Sequence, residues 1–219
     1  MGDLERMAST PAFAAIRDEI IALAGLKPAE RLLDIGAGTG LLTLAAAARV
    51  QAVSALDVSQ AMCAHLERKC GALGVENVEV LHGDAVELPL ANDAIDVVLS
   101  NYCFHHLRDA DKLRALAQIR RVLRPGGRLI FGDMMFRLGV AKRRDRAVIA
   151  LLVKRVIAHG PAGLVRLAKN ALRILTGRWE RPASVEWWQN ALRQCGFVEV
   201  AVYPLEHEGG IAFARKPLD

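Results

Sequence analysis

The stretch LLDIGAGTG, residues 32–40, decides the fold of this 219-residue chain. Its first four residues form a largely apolar run typical of a buried strand, and an Ala- and Leu-rich helical pattern begins at Leu41. The three glycines between them let the backbone turn sharply and approach a ligand closely, while a helix start offers unpaired N–H groups. The order strand, glycine-rich turn and helix predicts a ligand-binding loop at one edge of an α/β sheet.

Short apolar runs alternate with helical patterns along the rest of the chain. The predicted strands are 31–36, 52–58, 77–84, 94–101, 128–133, 197–203 and 210–216. Near-continuous Val, Ile and Leu in most of these runs is typical of a parallel sheet covered on both faces. The last two runs are separated only by 204–209, and so short a link requires an antiparallel hairpin. The prediction is a doubly wound, seven-stranded α/β sheet whose last strand runs antiparallel.

Helical patterns complete the predicted domain, which spans 1–219. Ser59 can cap a helix that ends near Gly74, and a turn at 124–127 is predicted to open the fifth strand. The other predicted helices are 12–25, 41–50, 109–123 and 184–195. Within this domain we expect an N-terminal helical segment at 1–28 and a basic helical lid insertion at 134–182.

The composition is that of a globular protein with ample material for a core. Hydrophobic residues make up 53% and charged residues 24% of the chain, which excludes disordered and collagen-like classes. The start of the sequence does not have the pattern of a secretory signal, and no apolar run approaches the ~20 residues that span a bilayer. Four cysteines without regular spacing indicate reduced thiols. We therefore expect a cytoplasmic protein.

Two carboxylates flank the glycine-rich loop. Asp57 ends the second predicted strand, 21 residues after Gly36, where it can accept hydrogen bonds from the ribose of an adenosine-containing cofactor. The loop has the pattern G-x-G-x-G instead of the dinucleotide pattern G-x-G-x-x-G, and Asp34 precedes it. A carboxylate beside the loop is unfavourable for a pyrophosphate and favourable for an ammonium or sulfonium group. The loop therefore favours a cofactor that combines adenosine with a positive charge.

With these residues the sequence resembles the class I S-adenosylmethionine-dependent methyltransferases. In particular it resembles the small-molecule group that includes the C-methyltransferases of ubiquinone and menaquinone biosynthesis. The matching stretches are LLDIGAGTG (32–40), ALDVSQAM (55–62), HGDAVELPLANDAIDVVLSNYCFHHL (82–107) and VLRPGGRLIFGD (122–133). The resemblance implies a Rossmann-like methyltransferase fold, S-adenosyl-L-methionine as cofactor, and methyl transfer to a small, apolar or amphipathic acceptor.

The resemblance also implies which residues hold the cofactor. The loop would pass along its methionine part, Asp57 would hold the ribose, and Asp84 would meet the adenine amino group. The full set is Asp34, Gly36, Ala37, Gly38, Gly40, Asp57, Val58, Met62, Gly83, Asp84, Ala85 and Asn101. A plain tight turn is the alternative interpretation of the glycines, and a helix cap is the alternative for Asp84.

The turn after the fourth predicted strand carries the candidate catalytic residues, His105 and Tyr102. A methyl carbon on a sulfonium is already electrophilic, so catalysis chiefly requires an aligned and dehydrated acceptor. An acidic acceptor would additionally use a general base, and His105 or His106 can accept a proton near neutral pH. The alternative is that this histidine pair only packs or orients the turn. We expect no metal, because Cys103 and the two histidines lie too close together on a turn to converge on one ion.

Residues 137–181 form a basic block. It contains twelve Lys and Arg residues against two acidic residues, a net charge of +10, whereas the rest of the chain carries −5. Apolar stripes at 147–159 and 164–175 predict two helices, placed to form a lid over the acceptor pocket.

The partner of this basic block is left open by the sequence. Contact with an anionic membrane is one interpretation, supported by the nearby Trp179, Trp187 and Trp188. Attraction of an anionic substrate or acidic partner is a second, and solvated charges over a lid sealed to the core, with the tryptophans buried, is a third. The low aromatic content of 5% disfavours nucleic acid as the substrate.

Three functions are compatible with these patterns. The first is a methyltransferase for a small molecule. The second is a protein that binds S-adenosylmethionine or S-adenosylhomocysteine without turnover, and the third is a nucleic-acid methyltransferase that uses the basic block.

Overall fold

A single seven-stranded sheet organises the fold. The computed structural model describes residues 11–136, 150, 181–205 and 208–218. The strands are β1 (Arg31–Ile35), β2 (Ala52–Asp57), β3 (Val78–His82), β4 (Ile95–Asn101), β5 (Leu123–Met134), β6 (Val198–Pro204) and β7 (Gly209–Arg215). Their order in the sheet is β3-β2-β1-β4-β5-β7-β6.

Strand directions agree with the sequence-based prediction. The pairs β2–β3, β1–β2, β1–β4 and β4–β5 are all parallel, whereas β7 runs antiparallel to both β5 and β6. The chain builds outward from β1 to β3 and then returns to β4 on the other side of β1. This reversal leaves a crevice at the carboxyl ends of β1 and β4, the place where open α/β sheets bind ligands.

Five α-helices and one 3₁₀ turn are described. The helices are α1 (Pro11–Ala24), α2 (Leu41–Ala47), α3 (Gln60–Leu73), α4 (Asp109–Val122) and α5 (Val185–Gln194), and the 3₁₀ turn is Phe104–His106. The predicted cap of α3 is confirmed, because the Ser59 hydroxyl accepts from the Met62 N–H at 3.4 Å. Gly74 ends the same helix at a φ of 67°, a conformation that glycine adopts with little strain.

Alternating side chains of the strands pack into hydrophobic clusters on both faces of the sheet. In β1, Leu32 packs with residues of α1 and α2, whereas Leu33 and Ile35 pack with residues of α4 and α5. Ala55 of β2 packs with α3 in a third cluster. Both faces of the sheet are therefore covered by helices, which is the predicted doubly wound arrangement.

The fifth strand begins earlier than its apolar pattern predicts. The turn expected at 124–127 lies inside β5, which starts at Leu123 because this residue pairs with Ile95 of β4. The pairing register then shifts after Ile95, and Gly126 adopts a φ of 75°. The predicted turn is therefore a local irregularity within the strand.

Trp188 of α5 belongs to the core, as the third interpretation of the basic block requires. It is 1% exposed and packs against Phe104 and Phe131, whereas Trp187 is partly buried and packs against Trp188. This finding removes Trp188 from the set expected at a membrane surface. Trp179 and the predicted lid helices lie outside the described residues, apart from the single residue Ala150. Within the described ranges, no helix combines the length and the apolar character needed to cross a bilayer.

Candidate cofactor and acceptor site

The glycine-rich loop is fastened to the end of β2 by consecutive hydrogen bonds. The N–H groups of Gly36 and Ala37 both donate to the Leu56 carbonyl, at 2.8 and 3.0 Å. The next N–H, that of Gly38, donates to Oδ2 of Asp57 at 2.8 Å. Three successive amides are therefore already used inside the protein, and they are not available as a phosphate cradle of the kind that dinucleotides require.

Close approach of the chain explains the glycine at position 36. Gly36 has a φ of 74°, and a Cβ there would lie 2.6 Å from Sγ and 2.7 Å from Cβ of Cys103. Gly40 has a φ of 83°, and a Cβ there would lie 2.5 Å from Leu66. At Gly36 both the left-handed backbone and the nearby Cβ of Cys103 require glycine, whereas at Gly40 the left-handed backbone is the main reason, because the end of the Leu66 side chain can move.

Asp57 has a structural task that the sequence did not reveal. Its Oδ2 accepts from Gly38, and its Oδ1 accepts from the Ser59 N–H at 2.8 Å. The carboxylate thus joins the glycine-rich loop to the start of α3. Each carboxylate oxygen still has a lone pair, so Asp57 can also accept from a hydroxyl of a bound ribose.

Asp34 is buried beneath the loop. It is 1% exposed, and its Oδ2 accepts from the hydroxyl of the buried Thr43 at 2.6 Å. Burial raises the pKa of Asp34 to about 6, and the charge of Asp57 adds to this rise, while the Thr43 hydrogen bond opposes it. Thr43 lies within the Leu41–Val50 helical pattern, and nothing in that pattern indicates that it is the polar partner of Asp34.

Asp84 lies in a turn after β3. Its Oδ1 accepts from the Val86 N–H at 3.1 Å, and its carbonyl accepts from the Glu87 N–H. No helix begins at this turn in the described chain, so the helix-cap alternative is replaced by a turn cap. The carboxylate is exposed and retains an oxygen that can accept from an amino group.

These elements surround a cavity of about 480 Å³ at the switch point of the sheet. Eleven of the twelve predicted cofactor residues line it, and Gly40 is the exception, since it lies at the buried start of α2. The full lining is Asp34, Ile35, Gly36, Ala37, Gly38, Thr39, Leu41, Leu42, Leu56, Asp57, Val58, Met62, Gly83, Asp84, Ala85, Asn101, Tyr102, Cys103, His106 and Leu107. It contains three carboxylates and, among the described residues, no Lys or Arg.

The residues of this cavity fit S-adenosylmethionine. Oδ1 of Asn101 is buried and accepts no hydrogen bond from the described part of the chain, so it can accept from an ammonium group. Asp34 supplies a buried carboxylate at the same strand edge, and Asp57 and Asp84 supply acceptors for ribose and adenine. An all-carboxylate set of charges suits a cationic cofactor and opposes a pyrophosphate.

Tyr102, which also lines the cavity, is held in an unusual backbone conformation. It has a φ of 53°, a strained value for a residue other than glycine, and its N–H donates to the Gly132 carbonyl at 2.8 Å. Burial and the charges of Glu208 and Asp133 raise the pKa of Tyr102, so its phenol stays protonated near neutral pH. Tyr102 therefore cannot act as a base near neutral pH.

The two histidines are placed differently. His105 is 5% exposed, and its Nδ1 lies 2.6 Å from Oδ1 of Asp133. His106 is exposed and lines the cavity, and His105 is not among the described lining residues. Asp133 was not identified from the sequence as the partner of His105, although it ends the fifth predicted strand as Asp57 ends the second.

The thiol of Cys103 is not activated as a nucleophile. Burial and the charges of Asp133, Asp57 and Asp34 raise the pKa of its thiol, which therefore stays protonated. No group of three or more metal-ligating side chains occurs in the ranges that the structure describes.

Comparison with known proteins also indicates a methyltransferase domain. Residues 32–127 match the family model of a methyltransferase domain. The chain is 39% identical over 115 residues to the malonyl-[acyl-carrier protein] O-methyltransferase of Methylococcus capsulatus, covering 50% of this chain and 40% of that protein. It is 35% identical over 119 residues to the demethylmenaquinone methyltransferase of Bacillus cytotoxicus, covering 53% and 49% respectively. The chain thus spans about half the length, or less, of these curated relatives.

Solved structures share the fold at low sequence identity. An S-adenosylmethionine-dependent methyltransferase from Aquifex aeolicus superposes with a TM-score of 0.67 at 20% identity, covering 96% of both chains. This match shows a shared fold, and residues 32–127 match a methyltransferase domain that the sequence relatives also carry by name.

Proposed function

We propose that this protein transfers the methyl group of S-adenosylmethionine to a small apolar or amphipathic acceptor. The observation that carries the proposal is the cavity that runs without interruption from the loop at 36–38 and Asp57 to Tyr102 and His106. Its size falls within the range of about 300–1,000 Å³ typical of small-molecule sites. The cofactor and acceptor ends are thus continuous.

Four side chains would hold the cofactor. Asp57 would accept from the ribose hydroxyls and Asp84 from the adenine amino group, while Asp34 and Asn101 would face the positively charged part. When bound, S-adenosylmethionine supplies a methyl carbon made electrophilic by the adjacent sulfonium. The protein's own contribution is then to align the acceptor and exclude water from it.

The acceptor end favours a molecule without negative charge. Asp133 and Glu208 lie close enough to Tyr102 to raise the pKa of its phenol. The two relatives described above act, by their names, on a malonyl group and on demethylmenaquinone. Of these two chemistries, the apolar quinone-like one is more compatible with the described lining. We propose that Tyr102 forms part of the wall against which the acceptor packs, and that His106, at the cavity wall, accepts the proton that the acceptor loses on methylation.

Two measurements test the proposed function. Calorimetry with S-adenosylmethionine, S-adenosylhomocysteine and NAD measures which cofactor the cavity accepts, and we expect binding of the first two only. Incubation with methyl-labelled cofactor and a panel of quinols, phenols, amines, thiols and carboxylates then measures transfer. Label in a quinol or phenol supports the proposal. Cofactor binding without transfer to any class would support the non-catalytic alternative, and binding of NAD would contradict both.

Asp57→Asn is expected to weaken binding of S-adenosylmethionine at least about tenfold, a loss of about 1.4 kcal/mol. The amide retains one acceptor oxygen and turns an NH₂ group toward one of the two N–H donors at Gly38 and Ser59. Calorimetry measures the affinity.

Asp96→Asn is the matched control for this substitution, because Asp96 accepts from the Arg31 N–H at 2.8 Å outside the cavity. It should change stability and leave the cofactor affinity intact. Equal affinities for Asp57→Asn and the unmodified protein would remove Asp57 from the cofactor site.

For the basic block we propose peripheral contact of a cytoplasmic enzyme with an anionic membrane, which would suit an apolar acceptor. Replacing Arg143, Arg144 and Arg146 by Gln should reduce co-sedimentation with phosphatidylserine vesicles. A control with Gln at the exposed Arg49, Arg68 and Arg114 removes the same charge from elsewhere on the surface. Failure of the unmodified protein to sediment, or equal loss in both variants, would refute a specific role of the block.

A further inference from the structure

His105 is held on three sides by hydrogen bonds that do not involve the cavity. Its N–H donates to Oδ2 of Asp133 at 3.0 Å, and its ring Nδ1 lies 2.6 Å from Oδ1 of the same carboxylate. Its carbonyl accepts from the N–H of Arg181 at 2.7 Å. Neither this backbone nor this ring can move without breaking one of these contacts.

Asp133 is the acceptor in this arrangement. Besides the two groups of His105, it accepts from the Met134 N–H at 2.7 Å, and it is 1% exposed. Each oxygen of Asp133 already accepts one backbone N–H, so the carboxylate faces the ring nitrogen of His105 as an acceptor. The Nδ1 of His105 therefore carries the proton that it donates to Asp133, and the Nε2 is the other ring nitrogen.

Arg181 is fixed by a second group as well. Nζ of the fully buried Lys112 donates to the Arg181 carbonyl at 2.6 Å and to Oδ1 of Asp109 at 2.9 Å. The same Nζ lies 5.5 Å from the centre of a ring of Trp187. The chain is thus fastened at residue 181 by the N–H bond to His105 and by the carbonyl bond to Lys112.

The His105 ring also supports both aromatic residues at the acceptor end of the cavity. Its centre lies 4.0 Å from that of His106 at an interplanar angle of 48°. It lies 6.0 Å from the ring centre of Tyr102, which meets it edge-on. Both neighbours line the cavity, whereas His105 lies behind them.

We propose that the His105–Asp133 pair is a positioning unit, which sets the orientation of Tyr102 and His106 at the acceptor end and joins that end to the chain at Met134 and Arg181. This inference rests on the proposed function for the role of the cavity, but its geometry is independent of cofactor binding. His105 is then a positioning residue, and its effect on methyl transfer is exerted through the two rings it supports.

Two substitutions separate the ring of His105 from its hydrogen bond. His105→Asn keeps an N–H donor near the Nδ1 position and removes the ring. His105→Phe keeps a ring and leaves the buried Asp133 without that donor. A third substitution, Asp133→Asn, keeps the shape of the acceptor and removes its charge.

Histidine ¹⁵N and aromatic ¹H NMR spectra test the proposal on the ligand-free protein. In the unmodified protein we expect the His105 signature of a protonated Nδ1, and we expect it to be lost in Asp133→Asn. The ring resonances of Tyr102 and His106 should shift in His105→Asn, in which the supporting ring is missing. In His105→Phe they should shift less, provided that the variant unfolds cooperatively on heating.

Calorimetry with S-adenosylhomocysteine completes the design. Its affinity should stay within about twofold in all three variants, because the cofactor end is built from other residues. A His105 proton on Nε2 alone in the unmodified protein overturns the proposal without any variant. Unshifted Tyr102 and His106 resonances in His105→Asn also overturn it. Failure of the unmodified protein to bind S-adenosylhomocysteine would instead contradict the proposed function and leave these spectral outcomes valid.

Discussion

Gly36→Ala is expected to abolish measurable binding of S-adenosylmethionine and to lower the free energy of unfolding by about 2–5 kcal/mol. The left-handed backbone costs an alanine about 1–2 kcal/mol, and overpacking costs about 1–3 kcal/mol more. The new Cβ would lie 2.6 Å from Sγ and 2.7 Å from Cβ of Cys103. Because the Cβ of Cys103 is fixed to the backbone, rotation of the Cys103 side chain cannot relieve this contact, and the loop itself must move.

Gly74→Ala is the matched control for the backbone cost. Gly74 has a similar φ of 67°, an added Cβ there would meet no atom within 4 Å, and the residue lies at the end of α3 away from the cavity. The substitution should lower stability by about 1–2 kcal/mol, the backbone cost alone, and leave cofactor affinity unchanged. Denaturant unfolding and calorimetry measure the two quantities.

A second substitution isolates the steric part of the Gly36 effect. Cys103→Gly removes both atoms that the alanine at position 36 would meet, so the double variant should recover more stability than two independent changes allow. Additive losses in this cycle would show that Cys103 is not the obstacle. Retained affinity for S-adenosylmethionine in Gly36→Ala would contradict the placement of the cofactor against this loop.

Much of the fold is predictable from the sequence because its signals are local. The apolar runs mark the strands, the glycine pattern marks the loop, and the short link at 204–209 determines the antiparallel hairpin. The start of β5 is different, since Leu123 becomes part of the strand only through its pairing with Ile95. Local periodicity contains no information about such distant partners.

In the candidate site, too, some features are predictable from local sequence and others depend on the folded chain. Asp57 is predictable as a strand-ending acid, but its bond to Gly38 requires the folded loop. His105 and His106 are neighbours in sequence, and only the 3₁₀ turn, held by Asp133 28 residues away, directs one of them inward and the other to the cavity. The sequence therefore identifies the right turn and leaves the roles within it to the tertiary structure.

Asp34→Asn is expected to stabilise the ligand-free protein above pH 6 by about 3 kcal/mol. Burial raises the pKa of Asp34 from 3.8 to about 6, and each pKa unit corresponds to about 1.36 kcal/mol. At pH values between these two pKa values, the folded state binds more protons than the unfolded state. The free-energy cost of ionising the buried carboxylate therefore grows as pH rises and is complete above pH 6. The amide avoids ionisation and keeps an acceptor oxygen for the Thr43 hydroxyl.

The stability difference between Asp34→Asn and the unmodified protein should therefore be small near pH 4 and reach a plateau above pH 6. Urea unfolding across this range measures it. Asp18→Asn is the control, since the Asp18 side chain is 66% exposed and its substitution should give no comparable rise between pH 4 and 6. A difference for Asp34→Asn that is constant over the whole range would show that its ionisation does not cause the effect.

Cofactor binding should respond in the opposite sense, because a bound cation favours the ionised form of Asp34. The affinity of the unmodified protein for S-adenosylmethionine should rise as pH increases through 6, with release of a proton on binding, and that of Asp34→Asn should be lower and show less of this rise. The other carboxylates at the cavity, Asp57 and Asp84, are kept in both proteins and serve as the internal reference. The Asp34 carboxylate thus lowers the stability of the ligand-free protein and strengthens the binding of a cation. Such a trade of stability for binding is typical of a functional residue. An Asp34→Asn variant that is both more stable and equally tight-binding at pH 8 would show that this residue has no part in holding the cofactor.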